Sequence, residues 1–202
     1  MNIEQEIRRL QDIMPASGRM FTKIVSKPQQ SQVIDVPFPL PWKRDNRSIY
    51  INFDLWRRLS RPQRDLLLLR AVSGLIGIKW FKPDIYQAVT LAGLMGLTVE
   101  IAQVDVLGMM VAAGLTAIAS SQIWRQNRGM EKELEADEAA LKVAIRRGYT
   151  EIEAATHLLE AMEAVANIEG RRGLNFEELI RSQNLRAIAN LSQVGIPEDL
   201  KY

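Results

Sequence analysis

The chain contains no cysteine and a single histidine, His157, among its 202 residues. Disulfides, thiolate nucleophiles and iron–sulfur ligation are therefore excluded. A zinc site is nearly excluded, because such sites recruit several Cys or His ligands. Only an all-carboxylate site for Mg²⁺ or Ca²⁺ stays arithmetically open. Aromatics are scarce at 6%, and no dense basic run is interleaved with them. That leaves no recognition helix or RNA-stacking motif, so nucleic acid is not an expected partner. Ser60, Ser73, Ser120 and Ser121 have no histidine at readable spacing, which argues against a serine hydrolase. No glycine-rich phosphate loop exists; Gly93, Gly96 and Gly108 lie within apolar runs, where packing explains them. The first ten residues, MNIEQEIRRL, mix charges and lack an apolar core, so they are not expected to be a signal peptide.

What is present is a folded composition: 47% hydrophobic and 25% charged, with a mean hydropathy of −0.10. Length points to one domain, or one domain with an insertion. The net charge of +2 hides an asymmetry. Residues 1–83 carry 15 Lys/Arg against 7 Asp/Glu. Residues 84–124 carry only Asp84, Glu100 and Asp105. Residues 125–202 carry 11 Lys/Arg against 14 Asp/Glu. Three parts are expected on this basis. Residues 1–83 would hold an N-terminal helix, a small sheet and a buried helix. Residues 84–124 would form a hydrophobic hairpin, and residues 125–202 a helical part completing the cytoplasmic domain.

Ile3, Ile7, Leu10 and Met14 recur at helical spacing, which predicts an amphipathic helix ending before Pro15. Met20–Val25, Gln32–Val36 and Ser48–Phe53 read as strands, the last by its alternation, and a small antiparallel sheet is expected from them. Pro37, Pro39 and Pro41 make the link between the last two a loop. Asp54–Leu59 reads as a helical turn or two. Ser60 then opens a helix with Pro62 in its first turn, where a missing N–H is harmless. That helix is apolar almost all round and so reads as buried. Arg70 interrupts it, and a charge there needs a partner or must reach water.

Two uncharged stretches follow, Ile85–Val99 and Val106–Trp124. As helices they would span roughly 22 and 29 Å, the second matching a hydrocarbon core of about 30 Å. Lys79 and Lys82 precede them and Arg125 and Arg128 follow, while the tip between them is acidic. Trp80, Phe81, Tyr86 and Trp124 sit at the open end. This asymmetry predicts a two-helix membrane hairpin with both ends cytoplasmic; the alternative is a buried hairpin in a soluble helical protein. Glycines and alanines in both stretches permit close packing. Beyond Gly129 the chain reads as three helices. Glu131–Arg147 is stopped by Gly148. The next opens on a capping box at Thr150–Glu153. The last, capped from Asn175 to Glu178, runs to about Leu191.

Glu133-Leu-Glu-Ala-Asp137, continued to a Gly148-Tyr149 turn and another helix, resembles the third-ligand helix of membrane-embedded zinc metalloproteases of the HtpX heat-shock type. Upstream, Ser48-Ile-Tyr-Ile-Asn52, Phe53-Asp-Leu-Trp56 and Leu59-Ser60 occur in that family's order. The similarity runs over about residues 48–170, hydrophobic hairpin included. It implies a zincin-like frame, mainly α with the small N-terminal sheet. It also maps Glu133 onto a zinc ligand and Asp137 onto a supporting carboxylate. The family's His-Glu-x-x-His motif, however, falls on Arg70, Ala71 and Gly74. Zinc proteolysis needs imidazoles on the metal and a glutamate base for the bound water, and all three are replaced. The resemblance therefore implies a pseudoprotease with no cofactor and no catalytic residue. The chain is also similar to an uncharacterised family of cyanobacterial membrane proteins, which implies a thylakoid or plasma membrane.

One consequence is structural. If the first-ligand position and the Glu133 position still face each other, an Arg70–carboxylate pair can replace the metal cross-link, with Asp137 as second acceptor. The alternative places Arg70 in water and Glu133 on a solvated face. Glu131, Glu133, Glu135, Asp137 and Glu138 point in successive directions on a helix, which suits a solvated face better than a cation site. His157 lies on a later helix and is expected to be a surface or packing residue. The expected role is non-catalytic: a membrane protein that works in the bilayer and binds or helps assemble another membrane protein or complex from the cytoplasmic face. The alternatives are a soluble helical interaction protein, or an enzyme using a carboxylate-bound non-zinc metal.

Overall fold

The computed structural model describes residues 2–38, 47–78, 90–92, 95, 110–111, 113–114, 116–118, 121 and 129–191. The chain divides into two compact units, Met1–Gly77 with Glu133–Tyr202, and Ile78–Lys132.

The first unit is mainly helical with a small sheet. Helix α1 (Ile3–Ile13) starts where the Asn2 side chain accepts from the N–H groups of Glu4 and Gln5. Its Leu10, with Met14 just beyond, faces the core. Helix α2 (Ala16–Phe21) follows Pro15 and leads into β1 (Thr22–Ser26). After β2 (Ile34–Asp35) and β3 (Arg47–Ile51) comes the short α3 (Phe53–Trp56), capped by the Asn52 side chain.

The sheet corrects the antiparallel expectation. Its order is β1-β3-β2. β3 is central, parallel to β1 (Thr22 opposite Arg47 through Ser26 opposite Ile51) and antiparallel to β2. Alternation in sequence sets which face of a strand is buried but not its direction. The chain from Ser26 to Arg47 is long enough for the crossover that a parallel pair requires. Asn52 holds that link in place: its Nδ2 donates to the carbonyls of Pro28 and Gln30, at 3.0 and 2.8 Å. A second correction concerns Met20 and Phe21, read as strand but found in α2. Six residues with Gly18 in the middle are too few to show a helical period.

Helix α4 (Arg61–Gly77) runs through the unit and is buried along most of its length. Leu67, Leu68, Ala71, Val72 and Leu75 join Leu10, Ile49, Ile51 and Trp56 in one core cluster, which also holds Ala161 and Val165. Leu66 and Leu69 belong to a second cluster with Ala140, Leu141, Ala154, Leu158 and Leu185. The remaining helices of this core are α5 (Met130–Ile145), α6 (Glu151–Ile168) and α7 (Phe176–Ile188). Gly148, at φ 99°, ends the α5 region in a conformation that a side chain would strain. Both capping boxes form, at Thr150/Glu153 and Asn175/Glu178.

In the second unit, the described residues between 90 and 121 are helical. Leu91, Met95, Met110, Val111 and Ile118 among them are exposed. No helix among the described residues is long and apolar enough to cross a membrane. The hairpin expected over 84–124 falls for the most part outside the described residues.

Candidate functional site

Glu133 and Asp137 are four residues apart on α5, so they share one face. Arg70 of α4 meets both. Its Nη2 is ion-paired with Glu133 Oε2, and its Nε lies 3.5 Å from Asp137 Oδ1. That Nε is buried without a hydrogen bond among the described residues. Asp137 is fully buried and takes its hydrogen bonds from another residue, Arg181 of α7. Arg181 Nε donates to Oδ2 at 2.7 Å and Nη2 to Oδ1 at 2.8 Å, a bidentate fork. Burial pushes the Arg70 guanidinium down to about 10, the Arg181 charge pushes the same way, and Asp137 and Glu177 oppose both. Arg70 therefore stays cationic at neutral pH. Two arginines and two carboxylates form a neutral, closely packed quartet across α4, α5 and α7.

The other two positions that the resemblance singled out, Ala71 and Gly74, diverge. Ala71, next in sequence to Arg70, points into the core cluster with Val72 and Leu75. Gly74, one turn along α4, faces α5; a Cβ added there would lie 3.6 Å from Ala136 Cβ, an ordinary contact. Arg70, Glu133 and Asp137 are thus brought together, Gly74 borders them, and Ala71 does not join. His157 sits elsewhere, with Nδ1 3.2 Å from Glu160 Oε2 and its ring edge-on to Tyr149. Among the described residues no group of three or more His, Asp or Glu is placed to hold a metal ion.

Arg181 was missing from the sequence-based set. Its signal was present but faint: an arginine on the buried side of α7, one turn before Leu185. Nothing in sequence joins it to Asp137, 44 residues earlier.

A second polar network was also hidden. Glu6 of α1 accepts from Arg9 Nε and Nη2 (2.9 and 2.8 Å), from Arg64 Nη1 (2.7 Å) and from Trp56 Nε1 (3.3 Å). Arg9 also pairs with the buried Asp65, whose Oδ2 accepts from the Tyr149 hydroxyl at 3.0 Å. Burial works to raise the Glu6 carboxyl, but the hydrogen bonds and charges of Arg9 and Arg64 with the Trp56 N–H outweigh it, and the net shift is downward. Burial, then the Asp65 charge, pushes the Tyr149 phenol up to about 12. Arg147 donates to the carbonyls of Ile13 and Met14, at 3.0 and 2.9 Å, satisfying the end of α1. These contacts fasten the N-terminal helix to the core.

A family described as "Protein of unknown function (DUF3318)" matches residues 8–149. The chain is 27% identical over 148 residues to a thylakoid membrane protein of Synechocystis sp. (strain ATCC 27184 / PCC 6803 / Kazusa), covering 72% of this chain and 69% of the relative. No solved structure matches.

Proposed function

The chain belongs to the DUF3318 family of proteins of unknown function, and from that premise we propose a non-catalytic, membrane-associated role. In this reading the protein is pseudoprotease-like. It binds or helps assemble a membrane protein complex from the cytoplasmic face, with residues 84–124 as its membrane hairpin and both ends of that hairpin cytoplasmic. The observation that carries it is the quartet. At the place where the resemblance to metalloproteases would put a metal between two helices, a guanidinium already sits against Glu133 and Asp137. A cation site occupied by a permanent side-chain cation repels a second one. The base position, Ala71, has no proton acceptor on its side chain and lies in the core.

The name of the Synechocystis relative supports the membrane placement, as do the exposed Leu91, Met95, Met110, Val111 and Ile118. The test joins two measurements on the full chain. Membranes washed in alkaline carbonate should retain it in the pellet, and elemental analysis of the purified protein should find no stoichiometric metal. Release into the carbonate supernatant would favour a soluble interaction protein. A metal bound one-to-one and lost in Glu133→Gln would favour a carboxylate-metal enzyme instead.

A further inference from the structure

The sheet of the first unit has an open side, and its register fixes where the backbone points. Ser26 lies opposite Ile51, and the Lys27 N–H donates to the Ile51 carbonyl at 2.9 Å. The N–H and C=O groups of successive strand residues point to opposite sides. Lys23, Val25 and Lys27 therefore direct theirs at β3, and Ile24 and Ser26 turn theirs away from the sheet. β1 is an edge in the order β1-β3-β2. Among the described residues no hydrogen bond reaches the outward N–H and C=O groups of Ile24 or Ser26. Thr22, at the start of the strand, differs: its N–H returns to the Gly18 carbonyl of α2.

Side chains sort the same strand by face. Ile24 joins the core cluster with Ile49 and Ile51 of β3. Lys23, Val25 and Lys27 share the opposite face, where Val25 is paired with Tyr50. Both lysines are exposed and Val25 is half-buried. Lys27 lies over the Tyr50 ring, 5.0 Å from its centre. Among the described residues neither lysine has an ion-pair partner. Asp35 is on this face too, but on β2, across Tyr50 from β1. Arg19 and Phe21, exposed on α2 just ahead of the strand, add a third cation and an apolar side chain. The edge is thus cationic at both ends with an aliphatic residue between.

A row of unpaired backbone donors and acceptors is a template for another strand. Charge decides which strand. A second copy of β1 laid in register puts Lys23 against Lys27 when antiparallel, and each lysine against itself when parallel. Like charges directly opposite destabilise a pair. An extended segment with carboxylates at alternate positions around an aliphatic residue meets the same edge with opposite charge. We propose that the outer edge of β1 docks such an acidic extended segment of a partner protein by strand addition.

This deepens the binding role stated above and rests on it. The probe is a synthetic peptide in which glutamate, valine and glutamate alternate with threonine. Its twin carries lysine in place of both glutamates. Each is titrated into the full chain in detergent, and amide hydrogen exchange is read by NMR. Slower exchange at Ile24 and Ser26 is expected with the glutamate peptide and not with its twin. Lys23→Glu/Lys27→Glu should reverse that preference. Ser26→Pro removes an outward N–H that the sheet does not use, a place where an edge strand tolerates proline. It should weaken glutamate-peptide binding several-fold; if that variant fails to fold, the lysine reversal still decides. Equal binding of the two peptides overturns the proposal. So does binding that leaves Ile24 and Ser26 exchanging freely. Protection of both amides that rises with protein concentration alone makes the occupant a second copy and overturns the acidic partner. The membrane reading fails separately. A chain released by carbonate that still binds the glutamate peptide overturns the membrane placement and leaves the edge. A pelleted chain that binds neither peptide overturns the edge and leaves the membrane placement.

Discussion

Asp137 is the residue whose environment constrains the molecule most. It is fully buried, its two oxygens are taken by Arg181, and Arg70 stands at 3.5 Å. Removing one member of a buried pair leaves an uncompensated charge, so Arg181→Met should cost about 3–5 kcal/mol. The double variant Arg181→Met/Asp137→Leu should recover most of that loss, because the stranded carboxylate goes with its partner. Arg70→Met should cost less than Arg181→Met, since Asp137 keeps both hydrogen bonds from Arg181 and the carboxylate left without its partner, Glu133, reaches water. Thermal unfolding of the full chain in detergent gives the order, and an equal loss for the Arg70 and Arg181 variants would contradict it. Glu6 supplies a pH dependence. Its folded carboxyl titrates below the ordinary 4.5, so the unfolded chain binds more protons in that window. The stability it contributes is present above 4.5 and is lost as pH falls toward the depressed folded value. Glu6→Gln should therefore flatten the acid limb of the stability–pH curve, while Glu4→Gln, on the exposed face of the same helix, should leave it steep.

Among the elements, α2 approaches α4 closely at Gly18. A Cβ at Gly18 would come within 2.6 Å of Val72 Cγ1. Gly18→Ala should therefore destabilise by about 1–3 kcal/mol through overpacking, and Val72→Ala in the same chain should relieve part of it. Scanning calorimetry of the single and double variants reads this directly, and additive losses would show that the two side chains do not meet. The α5–α6 turn depends on cap chemistry instead. Thr150 accepts from the Glu153 N–H at 3.2 Å while Glu153 accepts from the Thr150 N–H at 2.9 Å. Thr150→Ala should cost about 1 kcal/mol, visible as faster amide exchange in the first turn of α6 and no change in α7.

For the whole molecule, the hairpin reading predicts a topology. In sealed vesicles, tags at the two ends of the chain should be digested by a protease added to the same face, and the acidic tip between Glu100 and Asp105 should resist it. Digestion of the two tags from opposite faces would require an odd number of crossings. Much of the helical architecture was legible in sequence. The α1 stripe, the buried α4, the Gly148 stop and both capping boxes are local patterns, each spanning a few residues whose spacing already encodes the geometry. That Arg70 interrupts an otherwise apolar helix was legible too. Three things were not. The parallel pairing of β1 with β3 depends on how a long link crosses, which alternation does not record. Arg181 joins Asp137, and Glu6 joins Arg64, across 44 and 58 residues; only the packed helices bring them within hydrogen-bond reach. And whether Arg70 reached solvent or a partner was undecided by spacing, because a charge on a buried helix can satisfy itself either way. Sequence determined which side chains had to find partners, since burial follows from local periodicity. Tertiary structure decided which partners they found, since a buried charge is satisfied by whatever the neighbouring helices bring within a few ångströms.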